Sequence, residues 1–374
     1  MTNNNSSHPG LYIHVPFCRT KCLYCDFFSS TDLALMPDFL AALEQEARLY
    51  AGDFAVFDTL YLGGGTPTLL TPEQLDGLFK NLRRTFTFAP DTEITLEANP
   101  DDLTREKLDF FRELGINRLS LGVQSFDEAE LAFLGRRHTA RQTRQALHWI
   151  RAAGFANLSL DLIYGLPGQT ATAWTRSLEK ALKFHPEHLS CYQLTWAPGT
   201  VLGKKQARGE IEPLGEEAEA ELFLLTSRFL QERGYLHYEI SNFARGENNC
   251  SRHNLKYWNH TPYLGLGPGA HSFQGTRRGW NHRSVDRYCL ALQAGAAPVA
   301  GAEELSPEQL RLEALCLGFR TREGVSPDLL SPSVRQGILA DLAKGELVRV
   351  LPGKIVPTLK GFLVADRLPL WLGD

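Results

Sequence analysis

Residues 11 to about 245 repeat one pattern, in which a short apolar or β-branched run is followed by a helical run. The candidate strands start roughly every 25 to 45 residues, and this spacing suits right-handed βαβ units with a parallel sheet. We therefore predict an α/β fold built on a partial (β/α)6 TIM-like barrel. The expected strands are 11–16, 59–62, 93–97, 118–123, 157–163 and 189–194, and the expected helices are 36–50, 72–85, 104–114, 127–149, 170–184 and 215–233.

A polar or glycine-rich element follows nearly every expected strand. In a β/α barrel the carboxyl ends of the strands converge on one face, where ligands bind. Exposed loops are often polar without any function, but the recurrence after successive strands favours a shared ligand pocket. The elements are, in chain order, Cys18, Gly63-Gly64-Gly65-Thr66, Glu97, Gln124, Asp161 and Gln193.

Composition narrows the class of protein and its partners. The 374 residues are 43% hydrophobic and 22% charged, which supports a packed core and excludes global disorder. The net charge of -4 argues against a nucleic-acid partner, because proteins that bind nucleic acids are usually basic. No apolar run approaches the roughly 18 residues of a transmembrane helix, and the polar start MTNNNSSHPG lacks a secretory signal pattern. We expect a cytoplasmic chain without a transmembrane segment.

The chain changes character after the barrel pattern, so we divide it into units 1–245, 246–302 and 303–374. Residues 246–302 are rich in histidine, aromatic residues and glycine, as in GLGPGAHSF at 265–273. Residues 303–374 predict helices at 306–318 and 332–344, strands at 347–351 and 355–356, and a helix from 358. That order resembles a winged helix. Nine basic and ten acidic residues give it no DNA-binding basic face, so we interpret it as a structural or ligand-covering domain.

Three of the seven cysteines lie within eight residues, in Cys18-Arg-Thr-Lys-Cys22-Leu-Tyr-Cys25, directly after the first strand. An odd number of cysteines in a cytoplasmic chain argues against a disulfide framework. Thiolates are soft ligands that suit iron–sulfur clusters or zinc. Zinc sites more often pair two distant CxxC segments, so the trio favours a cluster. A zinc site completed by His14, or buried structural thiols, are the alternatives.

CxxxCxYC after one strand and GGGTPT after the next strand resemble the signature of the radical S-adenosylmethionine (SAM) superfamily. The resemblance implies a [4Fe–4S] cluster on Cys18, Cys22 and Cys25, with one iron left open for the amino and carboxylate groups of SAM. Further runs, namely LYIHVPFC, LEANP, LSLGVQSF, DLIYGLPGQ and GLGPGAHSF, are similar to the coproporphyrinogen-oxidase-related branch. The resemblance covers nearly the whole chain.

The same resemblance implies which residues hold SAM. Glu97 and Asp161 can accept hydrogen bonds from ribose hydroxyls, and Arg136, or its neighbour Arg137, can pair with a carboxylate. Without the surrounding motifs, either carboxylate would equally fit a cap at a strand end. The implied SAM-binding residues are Tyr12, Tyr24, Gly64, Gly65, Thr66, Glu97, Gln124, Arg136 and Asp161.

Two departures separate this chain from the anaerobic coproporphyrinogen dehydrogenases of the branch. Those enzymes carry a further cysteine two residues after the third one, where this chain has Phe27. They also have a long arm over the substrate, whereas seventeen residues precede Cys18 here. Both features favour a member that does not decarboxylate porphyrinogens.

The run His253-Asn254-Leu-Lys-Tyr257-Trp258 resembles the HNxxYW motif of heme chaperones in the same branch. Histidine can supply an axial imidazole, tyrosine a phenolate, and tryptophan an apolar surface for the macrocycle. A lone histidine among aromatic residues is otherwise more often a hydrogen-bonded core residue. His271 is a further candidate, for either SAM or heme.

The resemblance therefore implies a heme chaperone that binds heme and delivers it to hemoproteins. A membrane-associated respiratory enzyme is one expected recipient, with the chaperone at the inner membrane. We expect no coproporphyrinogen oxidase activity. The one reaction that the resemblance allows is the reductive cleavage of SAM. The alternatives are an oxygen-independent coproporphyrinogen III dehydrogenase, a radical SAM heme-modifying methyltransferase or ring-opening enzyme, and a structural iron–sulfur protein that does not use SAM.

Overall fold

A computed structural model describes residues 8–331 and 337–372 of the chain. A twelve-stranded sheet forms its centre, and the six strands β1 to β6 are parallel and adjacent in chain order. The predicted α/β fold with a parallel (β/α)6 arrangement is therefore confirmed. The six strands are β1 (Gly10–Val15), β2 (Phe57–Gly64), β3 (Phe88–Ala98), β4 (Arg118–Gln124), β5 (Leu158–Tyr164) and β6 (His188–Gln193).

Helices connect these strands and bury their apolar faces against the outside of the sheet. Their starts carry the expected capping residues; for example, Thr71 and Gln74 form a capping box at the first turn of the second helix. Among the described residues no helix is long and apolar enough to cross a membrane. The helices of this part are α1 (Met36–Leu49), α2 (Pro72–Thr85), α3 (Arg105–Glu113), α4 (Glu128–Phe133), α5 (Ala140–Ala152), α6 (Ala171–Leu182), α7 (Val201–Ala207) and α8 (Glu216–Gln231).

The prediction of one continuous helix over 127–149 is wrong. α4 ends at Phe133, and Gly135 then takes a φ of +70°, a left-handed conformation that glycine adopts without strain. α5 begins only after Thr139, which forms a capping box with Gln142. The break places Arg136 on a connecting segment rather than on a helix.

The sheet continues past both edges of the six parallel strands, which the strand prediction missed. β9 pairs with β1 in parallel, and β10 to β12 follow as antiparallel strands, while β7 and β8 extend the β6 edge. We call β9 to β12 the extension. The additional elements are β7 (Leu236–Glu239), β8 (Asn242–Ala244), α9 (Arg252–Trp258), β9 (Tyr263–Leu266), β10 (His271–Gln274), β11 (Arg277–Asn281), α10 (Val285–Gln293) and β12 (Val299–Glu304).

A buried carboxyl group on α1 fastens the extension to the barrel. The Glu46 side chain is fully buried and accepts a hydrogen bond from the backbone N–H of Gly267 at 2.7 Å. Tyr288 and Asn281 donate to the same carboxyl group. Burial raises the pKa of Glu46 to about 7. One side chain thus joins α1, the loop after β9, the end of β11 and α10.

The C-terminal part follows the predicted order of two helices and a strand pair. It has its own apolar core, which includes Leu315, Phe319 and Ile355. The expected helix over 332–344 is described only from residue 337, and the final helix is two short ones. The proposed boundaries at 245/246 and 302/303 remain predictions. The elements are α11 (Pro307–Gly318), α12 (Gly337–Lys344), β13 (Val348–Leu351), β14 (Lys354–Pro357), α13 (Leu359–Phe362) and α14 (Leu368–Leu372).

Candidate functional site

A cavity of about 590 Å³ opens at the carboxyl ends of the parallel strands, a volume typical of small-molecule sites. Gln193, at the end of β6, also lines it. Tyr12 is not among the residues that line the cavity, and its hydroxyl is 3.0 Å from His14 Nδ1 on the same strand, β1. Eight of the nine implied SAM-binding residues line it, namely Tyr24, Gly64, Gly65, Thr66, Glu97, Gln124, Arg136 and Asp161.

The glycine run after β2 is required by close backbone contacts. A Cβ atom on Gly65 would lie 2.5 Å from the carbonyl oxygen of Phe17, which precedes the first cysteine of the trio. Gly64 has a φ of +102°, and a Cβ there would meet the His14 ring at 2.5 Å. The run can therefore approach β1, and the start of the cysteine loop, only as glycine.

Two carboxyl groups face the cavity from β3 and β5, the two strands that flank β4. Glu97 accepts hydrogen bonds from the Tyr61 hydroxyl at 2.7 Å and from the Gly64 N–H at 3.0 Å. Asp161 accepts from the Ser120 hydroxyl at 3.1 Å. Burial raises the pKa of Glu97 to about 7 and raises the pKa of Asp161 above its ordinary value. Both groups retain acceptor capacity for hydroxyl or amino groups of a ligand.

Arg118 lies in the same cavity, and the sequence analysis did not select it. Its side chain is 1% exposed, and its Nε atom is buried without a hydrogen-bond partner among the described residues. Its positive charge lowers the pKa of both Glu97 and Asp161 against the effect of burial. Its position on β4 was a usable signal for this placement. Arg118 lies two residues before Ser120, and because side chains alternate along a strand, both face the cavity.

Asn99, from the LEANP run, links the segments that surround the cavity. Its amide nitrogen donates to the Thr66 hydroxyl at 3.1 Å, and its oxygen accepts from Arg136. Arg136 also donates to the Gly122 carbonyl at 2.8 Å and to Cys22 Sγ at 3.3 Å, while Thr66 donates to Cys18 Sγ at 3.6 Å. Arg136 Nε is buried and has no hydrogen-bond partner in the described part of the chain, which leaves a donor for an anionic group.

Gln124 occupies a strained position at the end of β4. Its φ is +62°, which is uncommon for a residue other than glycine, and the pairing register with β5 shifts at this point. Such strain is found where the surrounding structure fixes a side chain for a purpose. Gln124 is 9% exposed and lines the cavity, as implied for SAM binding.

The three cysteines lie on one loop and their side chains are all partly exposed. Cys25 lines the cavity, and the Thr66 and Arg136 donors reach the other two sulfurs. Within residues 8–331 and 337–372, no three Cys, His, Asp or Glu side chains gather as ligands of a single metal ion. Three thiolates on one short loop are soft donors of the kind that bind iron–sulfur clusters, each through its own iron atom.

The histidine considered for a zinc site is already engaged. His14 Nε2 is 2.9 Å from the Phe28 carbonyl oxygen, and Nδ1 is 3.0 Å from the Tyr12 hydroxyl. Burial lowers the pKa of His14 to about 4, so its ring is neutral at pH 7. Since neither ring nitrogen is free, the structure does not favour His14 as a fourth metal ligand.

The HNxxYW residues lie at the opposite end of the barrel from the cysteine loop. The backbone N–H of His253, at the start of α9, donates to Glu93 Oε1 at 3.1 Å. Its ring is 1% exposed, with Nδ1 2.8 Å from the Thr59 hydroxyl and Nε2 2.9 Å from the Tyr257 hydroxyl. Burial lowers the pKa of His253 to about 3. These contacts pack His253 into the closed amino end of the barrel, which we call the barrel floor.

The structure does not bring the four HNxxYW residues to one open surface. Asn254 lines the cavity from the floor, whereas the half-buried Tyr257 ring packs edge-on against His253 and Tyr263. Trp258 has Arg320 over its ring, 5.7 Å from the centroid. Heme binding by these four residues stays a prediction. Ligation of iron by His253 would require its contact with Thr59 or Tyr257 to open.

His271 is placed differently. It is exposed at the start of β10, and its ring stacks on Trp280 of β11, with a centroid distance of 5.9 Å and an interplanar angle of 30°. The register pairs His271 with Trp280 directly across the two strands. Burial lowers the pKa of His271, with a smaller effect from the charges of Arg278 and Arg283.

Comparison with known proteins agrees with this geometry. A sequence model of the Radical SAM superfamily matches residues 12–181. The chain is 38% identical over 365 residues to heme chaperone HemW of Mycobacterium tuberculosis, covering 96% of this chain and 93% of that protein. It is 36% identical to heme chaperone HemW of Bacillus subtilis, over 96% and 97% of the two chains.

One solved structure matches nearly the whole fold. It is coproporphyrinogen III oxidase (HemN) from Escherichia coli, described as a radical SAM enzyme, with a TM-score of 0.83 and 26% identity. The match covers 98% of this chain and 90% of that one. The extension and the C-terminal part are thus included in the similarity. Because its identity to the heme chaperones is higher and spans almost their full length, this chain belongs to the HemW family of heme chaperones.

Proposed function

We propose that the chain binds heme and delivers it to a hemoprotein, with a [4Fe–4S] cluster on Cys18, Cys22 and Cys25 and SAM in the barrel cavity. The observation that carries the proposal is the match to heme chaperones across 93% and 97% of their length. A membrane-bound respiratory enzyme is the recipient class we propose, with transfer taking place at the inner membrane surface.

The cavity supports SAM as the second ligand. When bound, the cluster would supply an open iron for the amino and carboxylate groups of SAM. Arg136 would offer its free Nε to the carboxylate, and the glycine run would admit the methionine end close to backbone. Glu97 and Asp161 would accept from the ribose and amino groups. The buried position of these side chains strengthens each such hydrogen bond.

A second candidate function is coproporphyrinogen oxidation, favoured by the fold similarity to the Escherichia coli enzyme over 98% of the chain. Phe27 argues against it, because Phe27 stands where the anaerobic dehydrogenases have a fourth cysteine. Phe27 is 67% exposed and lines the cavity.

Two assays on the reconstituted full-length protein separate these functions. In the first, hemin is added, and transfer is followed by the recovery of activity of an apo-hemoprotein. We expect stable heme binding and transfer. In the second, the protein is incubated anaerobically with coproporphyrinogen III, SAM and a strong reductant, and the products are separated. We expect no protoporphyrinogen IX. Its formation, or the absence of heme binding, would overturn the proposal.

A further inference from the structure

The extension leaves part of the inner sheet face open beside the barrel. β9 pairs in parallel with β1, so Tyr263 and Gly265 share the face of Tyr12, which in turn lies beside the cavity residue Tyr61. Phe273 on β10 stands opposite Tyr263. Since side chains alternate along a strand, His271 lies on this same face as Phe273.

His271 and Trp280 form a fixed aromatic pair on that face. A Cβ atom on Gly265 would lie 2.0 Å from the carbonyl oxygen of His271, so this glycine allows β10 to approach β9. A Cβ on Gly301 would lie 2.5 Å from the Trp280 ring, so the indole rests directly on the β12 backbone. The His271 ring forms no hydrogen bond within residues 8–331 and 337–372 and is exposed. In contrast, both His253 ring nitrogens are bonded.

The guanidinium group of Arg283 lies near this aromatic pair and forms no ion pair within the described residues. Arg283 is exposed, and the one hydrogen bond it forms within the described part of the chain is to the Asp26 carbonyl, at 3.4 Å. Arg278, on the strand beside His271, is instead paired with Glu303 and Glu313 at 2.7 and 2.8 Å. Arg283 therefore remains available for an anionic group.

Arg283 also adjoins the cysteine loop, since it reaches the Asp26 carbonyl directly after Cys25. A Cβ on Gly269 would lie 3.2 Å from Arg283 Cγ and 3.6 Å from Phe28 Cβ, three residues after Cys25. Phe28 stacks on His14, whose ring reaches back to the Phe28 carbonyl. A molecule that binds Arg283 would thus lie beside the loop that we propose for the cluster.

We propose that heme binds on this face, with His271 as an axial ligand of the iron, Trp280 packed against the macrocycle, and Arg283 paired with a propionate. The inference rests on the proposed function, because it names the site of the heme cargo. It assigns the three chemical features of heme to three groups of this region: an imidazole, an indole that stacks on the imidazole and so meets the macrocycle edge-on, and a cation that forms no ion pair within the described residues. The charges of Arg278 and Arg283 help to keep the imidazole neutral, which is its ligating form.

Hemin titration of the full-length protein, followed by absorbance and by resonance Raman of the iron–histidine bond, tests the site. His271→Ala should lose the iron–histidine signal and bind heme about tenfold more weakly or worse. Added imidazole should restore the spectrum. His282→Ala, in the same segment, is the matched control and should leave spectrum and affinity unchanged.

Arg283→Gln tests the propionate contact separately. It should weaken hemin binding about fivefold or more without changing the iron spectrum, since a charged hydrogen bond is lost. The same variant should bind heme dimethyl ester as well as the wild type does, because the ester has no anionic propionate.

The outcomes distinguish this inference from the proposed function. If the wild type binds heme and His271→Ala keeps both the iron–histidine signal and the affinity, the site is wrong while the chaperone function stands. Loss of the signal in His253→Ala instead would also place the ligand on the barrel floor and overturn the site. If the wild type binds no heme, the proposed function fails and the site with it.

Discussion

At the carboxyl end of the barrel, Arg136 Nε has no partner among the residues that the structure describes and Cys25 opens into the cavity, whereas at the amino end both ring nitrogens of His253 are hydrogen-bonded within the chain. Both ends carry a distinctive sequence run. The difference is that one end leaves polar groups for a ligand, and the other uses them to close the barrel. A buried donor without a hydrogen-bond partner costs free energy, so its position indicates where a ligand binds.

The extension differs from the floor in the same respect. Its His271 ring is exposed and forms no hydrogen bond with any residue that the structure describes, although it lies only eighteen positions along the chain from His253. Residue type and neighbouring aromatic residues are similar at the two histidines. What separates them is that α9 inserts its first turn under β1 to β3, while β10 lies on the open side of the sheet.

The largest expected effect tests the ligand-binding end. The triple variant Cys18→Ala, Cys22→Ala, Cys25→Ala should lose the cluster completely, because three thiolates on one loop hold it. Anaerobically reconstituted wild type should contain about four irons per chain, with broad absorbance, and the variant should contain neither. Cys191→Ala, Cys250→Ala and Cys289→Ala are the controls and should keep the cluster. Retained iron in the triple variant, or zinc in the wild type, would contradict the assignment.

The second prediction tests the floor. His253→Ala should lower the free energy of unfolding by about 2–4 kcal/mol, because it leaves a cavity and unpairs the hydroxyls of Thr59 and Tyr257. Chemical denaturation of the reconstituted protein measures this. SAM affinity of the folded variant should be unchanged. His148→Ala, at an exposed position on α5, is the control and should unfold like the wild type. Equal stabilities for His253→Ala and wild type would show that the floor is not a packed element.

Sequence alone predicted the six parallel strands and the cavity residues because each depends on local pattern. Apolar runs mark the buried strands, and the residue after each strand lies at the shared end whatever the details of packing. The helix prediction failed between Phe133 and Ala140, where Gly135 and the Thr139 capping box break a helix that the apolar periodicity continues. The order Thr139-x-x-Gln142 was a usable signal.

The placement of His253 and His271 could not be read from the chain. It depends on the pairing of β9 with β1, between residues more than 250 positions apart, and on Glu93 receiving the N-terminus of α9. Neither contact has a local signature. Arg118 was missed for a related reason: a basic residue at the start of a strand usually lies at the surface, and only the closed barrel buries it.

The third prediction concerns the network behind the cavity wall. Asn99→Ala should weaken SAM binding by about 1–3 kcal/mol, because Arg136 and Thr66 lose the group that orients both of them. Isothermal titration of the cluster-loaded protein with SAM measures the change. Asn117→Ala is the matched control, since Asn117 bonds only backbone groups of β3 and should cost stability rather than affinity. Unchanged SAM affinity in Asn99→Ala would mean that the network does not position Arg136.

The smallest expected effect is a shift in the pH dependence of SAM affinity. It tests Arg118, which lies in the barrel interior between the two ends. Burial raises the pKa of Glu97 to about 7, and the Arg118 charge opposes that rise. SAM carries a sulfonium and an amino group, so we expect it to bind best when Glu97 and Asp161 are ionised. SAM affinity should therefore increase as pH rises through about 7. Without the Arg118 charge both pKa values rise, so the midpoint should move to higher pH.

Arg118→Met should accordingly move the midpoint of the SAM affinity profile upward, by less than about one pH unit, with the affinities converging again at high pH. Arg118→Lys keeps the charge and should keep the midpoint near that of the wild type, even if its packing costs stability. Affinity is measured from pH 6 to 9 on protein with equal cluster content, so that loss of folded protein does not imitate the shift. A merely structural role would lower affinity by the same factor at every pH, and such a parallel profile would remove Arg118 from the binding site.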